Sequence, residues 1–222
     1  MRKRVLYAAL LCLPFLASCE SDSYDKGEGN YSHMVADFGE MRSDASKHGV
    51  SFETDEGANY ILDKSITASW ITKGDSTYRT AIYYNKVGEG VARLVSVSNI
   101  LTIVPKNATS FRKQSQDPVG VESYWVSKQG KYFNVGLLLK NGRDENGREG
   151  VHGLGIMYDG THENDDQTKT AYYRLLHDQG NVPEYYTNRS FISILLPDTT
   201  RPDSVRLTIR TYEGDVSKTL KI

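Results

Sequence analysis

Residues 132–140 read YFNVGLLLK, and the period within them points to the fold class. Phe133, Val135, Leu137 and Leu139 alternate with Tyr132, Asn134, Gly136 and Lys140. A strand turns successive side chains to opposite faces, so this apolar alternation predicts a half-buried strand rather than a helix. The same period recurs on either side. Val95-Ser96-Val97-Ser98 places valines on one face and serines on the other, and Val205, Leu207 and Ile209 alternate with Arg206, Thr208 and Arg210. Turn signals separate such runs at Lys73-Gly74-Asp75, Asn141-Gly142, Asn146-Gly147, Asp159-Gly160 and Glu213-Gly214. Past the first apolar run, no segment keeps a helical apolar stripe for about ten residues. The chain reads as all-β.

Strand content divides the chain. Residues 31–105 hold about five strand-like segments, the content of a small closed barrel. Pro105, a polar run over 106–117 and Pro118 then interrupt the pattern, so 106–118 is expected to be a linker. Residues 119–222 hold about seven further segments, the content of an immunoglobulin-like β-sandwich. Trp125 is expected in the sandwich core.

The N-terminus supplies an address. Arg2, Lys3 and Arg4 precede an apolar run over residues 5–16, too short to span a bilayer, which takes roughly 20 residues. It has the form of a signal peptide over residues 1–18. Leu16-Ala17-Ser18-Cys19 matches the bacterial lipobox, so cleavage is expected between Ser18 and Cys19, with lipid carried on the Cys19 thiol. Two or three acyl chains are enough for stable anchoring. Residues 20–30 contain four acids, two glycines and no aliphatic residue, which makes 19–30 a flexible acidic tether. The expected location is the cell envelope, anchored by lipid to the outer membrane, at the surface or facing the periplasm.

That address narrows the chemistry. The chain has two cysteines; Cys12 leaves with the leader and Cys19 is lipidated, so thiol catalysis, disulfides and zinc–thiolate sites are excluded from the mature protein. Loss of Arg2, Lys3 and Arg4 takes the formal net charge from −1 to −4, and no basic patch suggests nucleic acid as a partner. There is no nucleophile elbow, paired metal-binding histidine motif, phosphate loop or calcium-binding loop. His162-Glu163-Asn164-Asp165-Asp166 offers oxygen ligands but lacks the alternating spacing and turn glycine of a calcium loop, so a solvated hairpin loop is expected. His33, His48, His152 and His177 are scattered and are expected at the surface or the edge of the core. Catalytic, metal and cofactor sites are all expected to be absent. Tyrosine is abundant, with 15 residues that include Tyr83-Tyr84, Tyr172-Tyr173 and Tyr185-Tyr186. On a strand each pair should send one ring inward and one outward.

These features together resemble the NigD-like lipoproteins of Bacteroidales. The resemblance rests on the lipobox with its acidic tether, Thr80-Ala81-Ile82-Tyr83-Tyr84, Arg93-Leu94-Val95-Ser96-Val97 and Asp117-Pro118-Val119. It continues through Tyr124-Trp125-Val126, Gly130-Lys131-Tyr132-Phe133-Asn134-Val135 and Asp203-Ser204-Val205-Arg206-Leu207. It implies an OB-like barrel followed by a β-sandwich, and a bacteriocin-immunity role suggested by the operon from which the family takes its name. Acids behind the cysteine (Glu20, Asp22, Asp25) are also similar to the surface-export signals of that order. Proteins of these bacteria are O-glycosylated at Asp-Ser/Thr before an aliphatic residue, Met or Thr. That pattern makes Ser76, Thr199 and Ser204 candidate acceptors, all expected in turns. The expected function is non-enzymatic binding or protection at the membrane, with a protein or glycan ligand. A pilin-like or adhesin-like subunit is the alternative, and a glycan- or lipid-acting hydrolase the third reading. Any interaction surface is expected to be aromatic and polar rather than ionic.

Overall fold

A computed structural model describes residues 33–197 and 202–222. The signal peptide, Ser18, Cys19, the 19–30 tether and Thr199 lie outside the described residues. Five strands open the fold: β1 (Val35–Ser43), β2 (Gly49–Thr54), β3 (Asn59–Ile66), β4 (Thr77–Gly88) and β5 (Val91–Asn99). They close into a barrel in the order β1-β2-β3-β5-β4, with β4 returning to β1. Every pairing is antiparallel except the short β3–β5 contact, where Ile61 and Leu62 face Val91 and Ala92. This is the five-stranded Greek-key barrel of the OB type. Met41, Phe52, Leu62, Ile82, Tyr84 and Ala92 fill it, and Ile71 from the β3–β4 loop plugs one end. Trp70 in the same loop lies edge-on to Tyr78 at 5.6 Å, covering that plug.

The remaining strands are β6 (Leu101–Ile103), β7 (Lys106–Asn107), β8 (Gly120–Val126), β9 (Tyr132–Asn141), β10 (Gly153–Glu163), β11 (Lys169–Asp178), β12 (Tyr186–Leu195), β13 (Ser204–Thr211) and β14 (Gly214–Lys221). They form two packed sheets, ordered β6-β12-β9-β8 and β14-β13-β11-β10-β7. Phe133, Val135, Leu137 and Leu139 of β9 meet Ile156, Leu175, Val205, Leu207 and Ile209 across the sandwich. The expected barrel-then-sandwich architecture is borne out. Its sandwich also contains three parallel neighbours: β6 with β12, β7 with β10, and β11 with β13.

The junction differs from the expected linker. Leu101–Ile103 pairs with β12 directly after the last barrel strand, and Ile103 packs on the sandwich core. Lys106–Asn107 pairs with β10, and a single 3₁₀ turn follows at Ala108–Ser110. Further on, the His177 amide donates to the Ser115 carbonyl at 2.9 Å and the Asp117 amide to the His177 carbonyl at 3.0 Å. The segment is polar because it lies over the sandwich rather than inside it. At its two ends, 106–107 and 115–117, its backbone groups are met by β10 and β11, as half-buried backbone requires. The prolines mark bends on either side of a segment whose ends pair with the sandwich.

Candidate functional site

β9 is buried on both faces, and the reason identifies the seam between barrel and sandwich. Its inward residues enter the sandwich core, while outward Tyr132 and Asn134 are covered by the barrel. β4 mirrors this arrangement. Ile82 and Tyr84 point into the barrel, and outward Arg79 and Ala81 are buried beneath the sandwich. The Arg79 guanidinium grips Asp55 in a bidentate pair, donating to Oδ1 at 2.5 Å and Oδ2 at 2.6 Å. It also donates to Ser193 Oγ and Asn134 Oδ1, both at 3.0 Å, and Ser193 Oγ donates to Asn134 Oδ1 at 2.7 Å. Its carbon stands 4.1 Å from the Tyr132 ring centroid, a cation–π distance. The Arg79 and Asp55 side chains are only 2% and 15% exposed, so solvent screens the pair weakly.

The rim of this seam is more polar. Glu40 Oε1 accepts from Tyr132 OH at 2.5 Å and from Lys131 Nζ at 2.6 Å. Burial pushes the Glu40 carboxyl up, but these two hydrogen bonds and the nearby cations together hold it below the usual carboxylate range. Burial, then the Glu40 hydrogen bond, pushes the Tyr132 phenol well up, so it remains a donor. Gln129 Nε2 donates to Glu53 Oε1 at 2.6 Å. Glu40, Glu53, Asp55, Ser127, Gln129 and Lys131 border a void of about 10 Å³, room for one water. Beside it Phe38 meets Trp125 and Phe191 edge-on at 5.0 and 5.4 Å. Trp125 therefore belongs to the seam and not to the sandwich core, because its ring leaves the outer face of β8 toward the barrel.

Larger openings lie elsewhere. A groove of about 400 Å³ runs between the free edges β8 and β14, lined by Val119, Val121, Tyr124, Leu138, Tyr212 and Val216. A second, of about 200 Å³, lies where segment 111–115 crosses β10 and β11. At the end of the sandwich away from the barrel, Val151 and Tyr185 are 87% and 78% exposed, and Tyr186 and Tyr212 are also open.

The sequence candidates distribute as follows. Ser76 lies in the β3–β4 loop, donating its hydroxyl to the Gly74 carbonyl at 2.9 Å and its amide to Ser43 Oγ at 3.1 Å. Ser204 opens β13 rather than sitting in a turn; its hydroxyl is 2.8 Å from Thr170 Oγ1. The preceding Asp203 accepts the Lys169 amide at 2.7 Å. The 162–166 segment closes on itself as a hairpin loop, with Asn164 Nδ2 donating to Thr168 and Thr170 hydroxyls, both at 2.9 Å. Tyr84 and Tyr173 turn inward while Tyr83 and Tyr172 face out, as alternation requires. Tyr185 and Tyr186 are both exposed because they lie where β12 begins, past the cover of the opposite sheet. His33 and His48 are at the surface, but His152 and His177 are not scattered: they meet through ring nitrogens at 2.9 Å. The Arg79–Asp55 and His152–His177 pairs went unread because each joins residues about two dozen positions apart. Within TYRTAIYY, residues 77–84, Arg79 shares its face with Thr77, Ala81 and Tyr83, a composition that suits a solvent-facing strand surface and gives no local sign of burial.

The same architecture occurs in solved structures. A NigD-like immunity protein from Bacteroides caccae superposes with a TM-score of 0.64 at 20% identity, over 83% of this chain and 91% of that one. A toxin-related protein from Parabacteroides distasonis gives 0.63 at 17% identity over 85% and 93%. A protein of unknown function from Bacteroides vulgatus gives 0.64 at 13% identity over 85% and 90%. No protein-family model and no curated protein matches the sequence. The resemblance to NigD-like proteins is thus borne out at the level of fold, since this chain superposes on a NigD-like immunity protein over most of both chains.

Proposed function

We propose that this chain is a lipid-anchored protein of the bacterial envelope that acts by binding, in a protective role of the immunity type, and not by catalysis. The reading is carried by the shared architecture with a NigD-like immunity protein over 83% of this chain. A toxin-related protein with the same fold supports it. The lipobox at residues 16–19 supplies the envelope address, with the membrane as one partner through Cys19. The carboxylates at the seam are engaged: Asp55 by Arg79, Glu40 by Lys131 and Tyr132, and Glu53 by Gln129. Such a seam serves as a rigid mount for contact surfaces elsewhere. The aromatic groove and the exposed tyrosines offer amphipathic contact area for a protein or glycan ligand.

The test is expression of the whole chain in a bacteriocin-sensitive Bacteroidales strain, challenged with supernatants from a panel of bacteriocin producers. Protection against at least one supernatant, with a tenfold or greater rise in the inhibitory dose, is expected. Cys19→Ala should abolish both the protection and the incorporation of labelled palmitate. Full sensitivity to every supernatant, with lipidated protein present in the envelope, would reject the protective role. Palmitate labelling that persists in Cys19→Ala would reject the anchor.

A further inference from the structure

His177 is buried on β11, and His152 directly precedes β10. Three contacts string the two rings into a chain. His177 Nδ1 lies 3.0 Å from the Asp117 carbonyl oxygen, and His177 Nε2 lies 2.9 Å from His152 Nδ1. His152 Nε2 lies 3.1 Å from the side-chain oxygen of Asn141. A backbone carbonyl only accepts, so His177 Nδ1 must carry a proton. The contact between the rings needs one more proton. If Asn141 presents its amide nitrogen to His152, two ring protons satisfy the chain and the pair is neutral. If Asn141 presents its oxygen, a third ring proton is required and the pair carries one positive charge. Uptake of one proton from solvent at His152 Nε2, with an amide flip of Asn141, converts the first state into the second without moving a heavy-atom position. A fourth proton has no place, because two N–H groups would then face each other across 2.9 Å.

The charged neighbours leave the imidazoles to respond. Asp178 on β11 is held below the usual carboxylate range by the Lys113 hydrogen bond, then by the Gly180 amide, and Lys113 is raised by the same contact. Both therefore keep their charge between about pH 5 and 8. The Asp117 carboxylate accepts the Gln179 amide at 2.8 Å, and Arg143 pairs with Glu149 at 3.0 Å in the loop between β9 and β10.

We propose that the His152–His177 pair is an acid-released latch that ties segment 115–117 and the 142–151 loop to the far end of the sandwich. Segment 115–117 reaches the sheet through the backbone of His177, and the Tyr185 amide donates to the Asn141 carbonyl at 2.9 Å. Opening the latch therefore alters both the bound segment and the exposed Val151 and Tyr185. Burial, then the charge of His177, holds His152 below the ordinary histidine value. The closed form thus binds fewer protons than the open one. The latch contributes in full above about pH 6.5 and weakens as the pH falls below that value.

The experiment is nuclear magnetic resonance on the whole chain labelled with ¹⁵N. At pH 8 both rings should carry the proton on Nδ1, and a His177 ring protonated on Nε2 instead would overturn the latch. Between pH 6.5 and 5.5, amide exchange at Asp117 and His177, corrected for intrinsic rates, should accelerate about fivefold, the linkage of one proton taken up at an open-state value of about 6.5. Ser123 on β8 should not follow. His152→Phe and His152→Gln, whichever folds, should flatten the response. An unchanged slope in a folded variant, or equal acceleration at Ser123 in the unmodified chain, would overturn the proposal. The Ser123 comparison needs no variant.

Discussion

Arg79 carries the seam, and the energetics follow from its burial. Removing one partner of a buried ion pair leaves the other charged and unsatisfied, which costs about 3–5 kcal/mol. Arg79→Met should therefore lower stability by roughly that amount in denaturant titration, because Asp55 and Asn134 would lose their donor. Arg79→Lys should recover only part of the loss, since an ammonium cannot make the bidentate pair. Equal stability of the unmodified and Arg79→Met proteins would show that the seam is held by its aromatic rings instead. Little of this was legible in the sequence. Alternation placed Arg79 on the outward face of β4. Outward normally means wet, and only the sandwich lying on that face makes the position dry.

Among the elements, β1 and β9 show how much a strand's surroundings dictate its composition. Gly39 sits where β1 crosses β2, and a Cβ there would lie 2.4 Å from the Glu53 carbonyl oxygen. Gly90, in the β4–β5 turn, has a φ of +65° and open space around its Cα. The two glycines are needed for different reasons. Gly39→Ala should cost about 2–3 kcal/mol through backbone displacement. Gly90→Ala should cost about 1 kcal/mol through left-handed strain alone. Thermal melts should separate them by several degrees, at roughly 2–4 °C per kcal/mol for a chain of this size. A larger loss for Gly90→Ala would contradict the packing argument. β9 was readable as a strand from its period, yet its second buried face was not, because Tyr132 and Asn134 are polar-tipped residues that also suit a surface. Trp125 was misplaced for the same reason: a large ring predicts burial without naming the body that buries it.

Taken whole, the molecule joins two architectures through the seam. The seam combines a buried ion pair, a side-chain network and the Phe38–Trp125–Phe191 cluster. It should couple barrel and sandwich into a single unfolding transition, with calorimetric and van't Hoff enthalpies in agreement. Replacing both Phe38 and Trp125 with Ala removes most of the apolar contact and should split the melt into two steps. Two transitions in the unmodified protein would refute the coupling. Segment 106–118 should resist limited proteolysis at neutral pH, since its backbone is bonded to β10 and β11.

The sequence by itself determined the fold class, the approximate strand content of each half, and the expected lipid address. These depend on local period, turn chemistry and a contiguous motif, each of which lies within a few residues of chain. Only the tertiary structure decided which outward faces are dry, where the sandwich begins, and that His152 and His177 share a proton chain. Those facts arise when the barrel is laid against β9 and when a polar segment crosses the sheet. Both events bring together residues separated by dozens of positions, and no local pattern in the chain encodes such a meeting.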